Sequence, residues 1–269
     1  MRRTPFAFLA ALLLSAPLAA SADGDLGGLA WPNVTQFSAR DGLPHSVVYD
    51  VQVDTAGYAW AATQVGLYRY DGDAWAPAGP PALQTPVRDL HLDGAGRLWV
   101  ATDHAGIGIL HGGEWTLLGP AQGFPTERYY RVQSVIEPDG RERIWIGTGD
   151  GGALRQRRAG PLEWPPRPDD FEPIGPAAGV EAPEVFAVAR SETIGGAPRE
   201  WIGTFEGGLY VRAAAGDGAG ARFERFAPPG FDASRIRDLR VVRDGAREVL
   251  WIASYGSGVY RWDGRLAHD

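Results

Sequence analysis

Trp60-Ala61-Ala62-Thr63 returns four times along the chain, as Trp99-Val100-Ala101-Thr102, Trp145-Ile146-Gly147-Thr148, Trp201-Ile202-Gly203-Thr204 and Trp251-Ile252-Ala253-Ser254. The tryptophans stand 39, 46, 56 and 50 residues apart, spacings that belong to a tandem array of one supersecondary unit. Six or seven residues after each Trp comes a glycine and an apolar residue, in Gly66-Leu67, Gly106-Ile107, Gly152-Ala153, Gly208-Leu209 and Gly258-Val259. Each such pair reads as a tight turn feeding another strand. Side chains alternate along a strand, so each Trp shares a face with the small residue two places on. A wide ring therefore sits beside a gap.

Upstream of each Trp lies a β-rich segment, and aligning the five on their first apolar residue gives Val48, Val87, Val132, Val185 and Ile236. Three residues on, a second apolar column reads Val51, Leu90, Val135, Val188 and Leu239; between them falls a mostly small column, Asp50, Asp89, Ser134, Ala187 and Asp238. Six residues before the first column stand Gly42-Leu43, Gly179-Val180 and Gly230-Phe231. Gly123-Phe124 takes that place with three extra residues, and the second repeat has Pro81 there. A last, aromatic-bearing strand lies near Trp75, Trp115, Phe171 and Phe223. Each unit is thus four short strands, one blade. The expected fold is an all-β β-propeller of four-stranded blades, with repeats at about 43–79, 81–119, 124–175, 180–226 and 231–264. Radially arranged sheets approach closely near the axis and must fill both faces with apolar contact, which the Trp-and-gap pattern provides.

The fifth repeat reaches a third strand at Tyr260-Arg261-Trp262 and supplies no fourth, whereas Asn33-Val34-Thr35-Gln36-Phe37 occupies the place of a fourth strand ahead of the first repeat. Segment 33–38 is accordingly expected to pair with the fifth repeat and close a five-bladed ring, which removes an open sheet edge. The alternative is the first part of a longer protein with further blades.

Composition agrees with this architecture. The 269 residues include 37 Gly and 21 Pro, a load that favours turns over long helices. Ten Trp and a 44% hydrophobic content can fill a substantial core. All 26 basic residues are arginine, against 33 acids; this balance provides no basic footprint for nucleic acid or anionic membrane. There is no cysteine, so neither a disulfide nor a lipid-modified Cys can form.

The amino terminus reads as an address. Arg2-Arg3 precede the apolar stretch Phe6 to Ala20, which ends in Ala20-Ser21-Ala22, small residues that suit signal peptidase. The stretch is shorter than the ~20 residues that span a bilayer. Residues 1–22 are expected to be removed, leaving a periplasmic or secreted domain over 23–269 with 24 bases against 33 acids and no transmembrane segment.

Asp41-Gly42-Leu43-Pro44, Asp54-Thr55-Ala56-Gly57, Trp60-Ala61-Ala62-Thr63 and Gly66-Leu67-Tyr68-Arg69-Tyr70-Asp71-Gly72 together resemble the two-component regulator propeller repeat, whose motif runs DGLP, D-x-x-G, W-I-G-T, G-L-x-R-Y-D-G. The first repeat matches almost throughout; the others keep the Trp and glycine-turn elements and lose parts of the DGLP start. The resemblance covers roughly residues 33–264. It implies a periplasmic input domain that senses a ligand, saccharide-like ligands being the best-known class, and hands its signal to a membrane kinase, cyclase or DNA-binding output. No such output module is present in these 269 residues, so the signal passes to a partner such as a membrane sensor protein, or to a further part of a longer histidine kinase or diguanylate cyclase.

Other chemistry reads weakly. Gly147-Thr148-Gly149-Asp150-Gly151-Gly152 spells G-x-G-x-x-G, but it sits where a strand, not a helix, should follow, so no pyrophosphate cradle is inferred. The five histidines have no ligand spacing, Asp71-Gly72-Asp73 lacks the alternating oxygens of a calcium loop, and G-x-S-x-G is absent. No cofactor, metal or catalytic residue is assigned. What remains is the propeller face that carries the loops entering the first strands and those joining second to third strands. On it the candidate ligand-binding residues are His45, Gln64, His104, Tyr129, Tyr130, Arg131, Asp150, Glu184, Glu206, Arg235 and Tyr255. Glu127 to Arg131 reads as an extra-long entry loop and is the most suggestive. Aromatic platforms beside Arg and carboxylates suit a polar small molecule or oligosaccharide; a solvated rim is the plain alternative. A propeller lyase or glycoside hydrolase would need two carboxylates about 5–10 Å apart, for which Asp150, Glu184 and Glu206 are the candidates.

Overall fold

The computed structural model describes residues 35–214, 221–245 and 247–264; the expected leader over 1–22 lies outside them. The strands form five antiparallel sheets that follow one another along the chain. Each begins with an innermost strand, at Val48–Val53, Val87–Leu92, Tyr129–Ile136, Val185–Ser191 and Ile236–Asp244. The Trp strands follow at Ala59–Thr63, Leu98–Thr102, Glu142–Thr148, Arg199–Thr204 and Arg247–Ser254. Third strands run over Gly66–Tyr70, Ile107–His111, Ala153–Gln156, Gly208–Ala213 and Val259–Trp262, and the first four sheets end with Trp75–Pro77, Glu114–Leu118, Phe171–Ile174 and Glu224–Phe226. No described helix is long and apolar enough to cross a membrane.

The repeat motif has a hydrogen-bonding cause. Thr63, Thr102, Thr148, Thr204 and Ser254 each donate from the hydroxyl to the carbonyl of the turn glycine, at 2.8–2.9 Å. That bond closes the turn between second and third strands without help from another sheet. In the turn before the Trp strand, Asp54 accepts from the amides of Ala56 and Tyr58 and from the Trp60 indole at 2.8 Å; Asp93 does the same for Ala95, Arg97 and Trp99. One carboxylate thus shapes a turn and satisfies a buried indole, a group that is costly to leave unpaired.

The core consists of joints between successive sheets. Trp60 and Ala62 of the first sheet pack with Val87 and Leu90 of the second. Trp99 and Ala101 meet Tyr129 and Val132 of the third, Trp145 meets Val185 and Val188 of the fourth, and Trp201 meets Ile236 and Leu239 of the fifth. The gap beside each indole is filled by the next sheet. A Cβ on Gly203 would lie 2.5 Å from Ile236 Cγ2, and one on Gly147 would lie 2.2 Å from the Val185 carbonyl oxygen. Gly147 and Gly203 therefore leave no room for a Cβ, while the other three sheets carry alanine at that place.

Strand register corrects the third repeat. Thr63 opposes Val48, Thr102 opposes Val87, Thr204 opposes Val185 and Ser254 opposes Ile236. Thr148, however, opposes Tyr129, and Gly147 opposes Arg131. The first column in this sheet is therefore Tyr129, not Val132. The small column holds Arg131, not Ser134, and the second apolar column holds Val132, not Val135. The reason is burial: Tyr129 is fully enclosed in the joint with the second sheet. With this register Gly123 precedes the column by six residues like its counterparts, so the entry loop of the third repeat carries no extra residues.

The two end faces differ from the joints. Val48 and Val51 of the first sheet are 37% and 55% exposed, and Trp251 and Val259 of the fifth are 42% and 66% exposed. Each innermost strand packs on the next, but among the described residues no comparable packing returns from the fifth sheet to the first. The five sheets form an open arc. Of the expected closing strand at 33–38, residues 33 and 34 lie outside the described residues and 35–38 carry no strand. Phe37 instead places its ring on Tyr70 and Trp75, at centroid distances of 4.9 and 5.9 Å, because that indole of the first sheet offers apolar cover. Among the described residues the fifth sheet has three strands.

Candidate functional site

Every innermost strand carries a β-bulge near its start, and the bulged residue is skipped by the ladder. The skipped residues are Tyr49, Arg88, Tyr130, Phe186 and Arg237. A bulge re-aims a side chain out of the alternating pattern. Here all five border one central cavity of about 270 Å³, together with Asp50, Asp89, Arg131, Asp238 and Arg240. The Arg88 guanidinium lies over Tyr49 at 4.7 Å and over Tyr130 at 5.6 Å. Tyr130 stacks on Phe186 at 4.9 Å, and Arg237 lies over Phe186 at 4.4 Å. Each of these two guanidinium groups thus lies on an aromatic face, an arrangement held by ring-quadrupole attraction.

The next layer is ionic. Arg131 reaches Asp89 of the second sheet and Asp238 of the fifth, both at 3.2 Å. Asp89 also accepts from the Val132 amide at 2.8 Å, and Asp50 accepts from the Leu90 amide at 3.0 Å. A carboxylate of one sheet thereby caps an amide of the next. Burial pushes the Asp89 carboxyl up to about 7, against the pull of Arg131 and the Val132 amide, with Asp50 and Asp238 adding to the rise. On the same strands burial drives His91 down to about 4, where its Nε2 meets Ser134 Oγ at 2.5 Å.

Arg88 is paired with Asp103, and Arg128 donates to the Tyr130 hydroxyl at 2.6 Å. Arg237 makes no ion pair among the described residues; burial and the nearby Arg88 and Arg131 lower its pKa. The residue as a whole is exposed to solvent.

The loops stand where the repeat predicts. Gln64, Asp103, Gly149, Phe205 and Tyr255 donate backbone N–H groups to Val47, Pro86, Arg128, Glu184 and Arg235 in the entry loops of the same sheets, at 2.8–3.2 Å. Of the sequence candidates, Tyr130 and Arg131 line the central cavity, and Gln64 accepts from the Tyr49 hydroxyl. Glu184 and Glu206 line a separate cleft of about 520 Å³ with Glu181, Phe205 and Tyr210. Arg235 links the two regions: it lies over Phe205 at 5.0 Å and pairs with Glu206 at 3.2 Å, while Phe205 packs on Phe186 at 5.7 Å.

The other candidates stand apart. His45 accepts from the Val47 amide in its own turn, His104 is exposed, Tyr255 is 65% exposed, and Asp150 accepts from Thr126. Tyr129 is enclosed in the core and withdrawn from the mouth. Among the described residues no three or more His, Asp or Glu stand together in a group that could hold a metal ion. Sequence reasoning missed Tyr49, Arg88, Phe186 and Arg237 because it sought ligand contacts in loops. The available signal was the position directly after the first apolar column, where large aromatic and Arg side chains recur.

No family model matches the chain, and no curated protein matches it. Solved structures do. The extracellular domain of BT3049, described as a hybrid two component system of B. thetaiotaomicron, superposes with a TM-score of 0.57 at 16% identity, over 85% of this chain and 35% of that one. PorZ, a bacterial surface component of the type-IX secretion system of Porphyromonas gingivalis, gives 0.55 at 15% identity, over 81% and 32%. The extracellular domain of BT4673, also described as a hybrid two component system of B. thetaiotaomicron, gives 0.55 at 18%, over 84% and 29%. The chain spans about a third of the length of these structures. At such identities the likeness is one of fold.

Proposed function

We propose that the protein is a non-enzymatic recognition module of the periplasm or cell exterior, which binds a polar ligand at the central mouth and passes the event to a membrane sensor partner. The observation that carries this reading is the set of bulge residues Tyr49, Arg88, Tyr130, Phe186 and Arg237 that border one cavity. Phe186 and Tyr130 stack on one another at the rim with Arg237 over Phe186, so ring edges and guanidinium groups border the cavity. Arg237 offers an exposed guanidinium over Phe186. An acidic saccharide fits this lining: its carboxylate pairs with a guanidinium in the fork geometry that Arg favours, and its C–H groups meet the aromatic edges. The exported location rests on the leader-like amino terminus and on the extracellular setting of the fold's relatives.

Isothermal titration of the purified protein with neutral and acidic oligosaccharides tests this, with product analysis alongside. The expected result is saturable binding of an acidic sugar, unchanged sugar at the end, and at least tenfold weaker binding for Phe186→Ala and Arg237→Gln. Binding that survives both substitutions, or release of a cleaved product, overturns it.

A further inference from the structure

Position by position, the two ends of the arc expose what every internal joint buries. The first column is buried in Val87, Tyr129, Val185 and Ile236, each fully enclosed, but Val48 is 37% exposed. The second apolar column is buried in Leu90, Val132, Val188 and Leu239, yet Val51 is 55% exposed. On the opposite face, Trp60, Trp99, Trp145 and Trp201 are at most 2% exposed while Trp251 is 42% exposed. The residue after the turn glycine follows suit: Leu67, Ile107, Ala153 and Leu209 are at most 1% exposed, and Val259 is 66% exposed.

These two faces are complementary halves of one joint. The joint between fourth and fifth sheets packs Trp201 and Leu209 against Ile236 and Leu239. Trp251 and Val259 present the first half of that set, and Val48 and Val51 the second. A polar group repeats the match. Asp50 caps the Leu90 amide and Asp89 caps the Val132 amide, each at the second apolar column of the following sheet. Asp238 is the fifth sheet's counterpart of these carboxylates, and Val51 is the first sheet's counterpart of the capped residues. Outer faces of repeat arrays are polar where they meet only water, and the outer faces of the first and fifth sheets are apolar.

We propose that a second copy of this chain docks head to tail, the Trp251–Val259 face of one copy seating on the Val48–Val51 face of the next, with Asp238 capping the Val51 amide. The interface is heterologous, so association continues past the dimer unless the rotation closes. It is independent of ligand at the mouth.

Sedimentation velocity over a range of concentrations tests this with Val51→Asp and Val259→Asp, both at exposed positions, so the circular dichroism of each should match wild type. Wild type is expected to grow in mass with concentration. Each variant alone is expected to remain at monomer mass, since one half of the joint is blocked, and an equimolar mixture of the two to form a species of twice that mass that grows no further. The mixture succeeds because the Val51→Asp copy retains an intact fifth-sheet face and the Val259→Asp copy an intact first-sheet face. A wild type that stays monomeric at all concentrations, variants that still associate alone, or a mixture that yields no dimer overturns the proposal.

Discussion

Arg131 of the third sheet and Asp238 of the fifth meet across the central cavity at 3.2 Å, stepping over the fourth sheet altogether. The same guanidinium holds Asp89 of the second sheet, so one side chain compensates carboxylates from both flanks. Arg131 stands at the position where the other sheets carry Asp or Ala, and Asp238 is held from its own strand by Arg240 at 3.0 Å as well.

Replacing that cation tests its weight. Arg131→Met leaves Asp89 facing Asp238 without a guanidinium between them. We predict a loss of about 2–3 kcal/mol in urea denaturation, below the ~3–5 of a fully buried broken pair because Asp238 remains partly in water. Adding Asp89→Asn should recover part of it. A loss under about 0.5 kcal/mol would mean that the bridge is ornamental.

Asp89 gives the fold a pH signature. Its carboxyl rises from 3.8 to about 7 on folding, so between those values the folded state holds more protons than the unfolded state. The stability linked to this group is full below about pH 4 and is lost as pH rises toward 7, by up to ~4 kcal/mol. Asp89→Asn keeps an acceptor for the Val132 amide and should remove this slope. Unfolding curves at pH 4, 5.5 and 7 measure it; parallel pH profiles for both proteins contradict the assignment.

His91 acts in the opposite sense. Its pKa falls from 6.5 to about 4 on folding, so the unfolded state holds more protons in that interval and stability is lost as pH falls through it. His91→Gln should keep the protein's pH 7 stability within about 1 kcal/mol and spare it roughly 2 kcal/mol of loss by pH 4.5. Between about pH 4 and 6.5 the two groups oppose each other by nearly one proton each, so wild type and the double variant with Asp89→Asn should both be nearly flat while each single variant slopes.

The sequence showed the repeat, the four-strand unit and the indole-and-gap pairing because each is fixed by local spacing. The third repeat was misaligned for a reason that lies outside local spacing: Tyr129 and Val132 are both apolar enough for the first column, and only the opposition of Thr148 to Tyr129 decides between them. The site was half legible for the same cause. Tyr130 and Arg131 stood out as aromatic and charged, whereas Arg88 and Phe186 read as ordinary strand residues until the bulge turned them toward the axis.

The gap beside the indole can be probed at two equivalent places. Gly203→Val drives a branched side chain into Ile236, whose Cγ2 lies 2.5 Å from an added Cβ. The cost should be about 2–3 kcal/mol, within the range of overpacked cores. Ala253→Val, at the same position of the fifth sheet and facing no following sheet, should cost under about 1 kcal/mol in dilute protein. Melting temperatures of the pair separate a packing effect from a strand-propensity effect, which would move both alike.

Successive sheets are sealed by an indole, with the last seal left open, and the matched pair Trp201→Ala and Trp251→Ala measures this most directly. Trp201 is 1% exposed and Trp251 is 42% exposed. In urea unfolding of dilute protein, Trp201→Ala should lose about 3–5 kcal/mol and Trp251→Ala less than about 1.5. Equal losses from the two substitutions would show that the fifth sheet is sealed like the others, and would contradict the open arc.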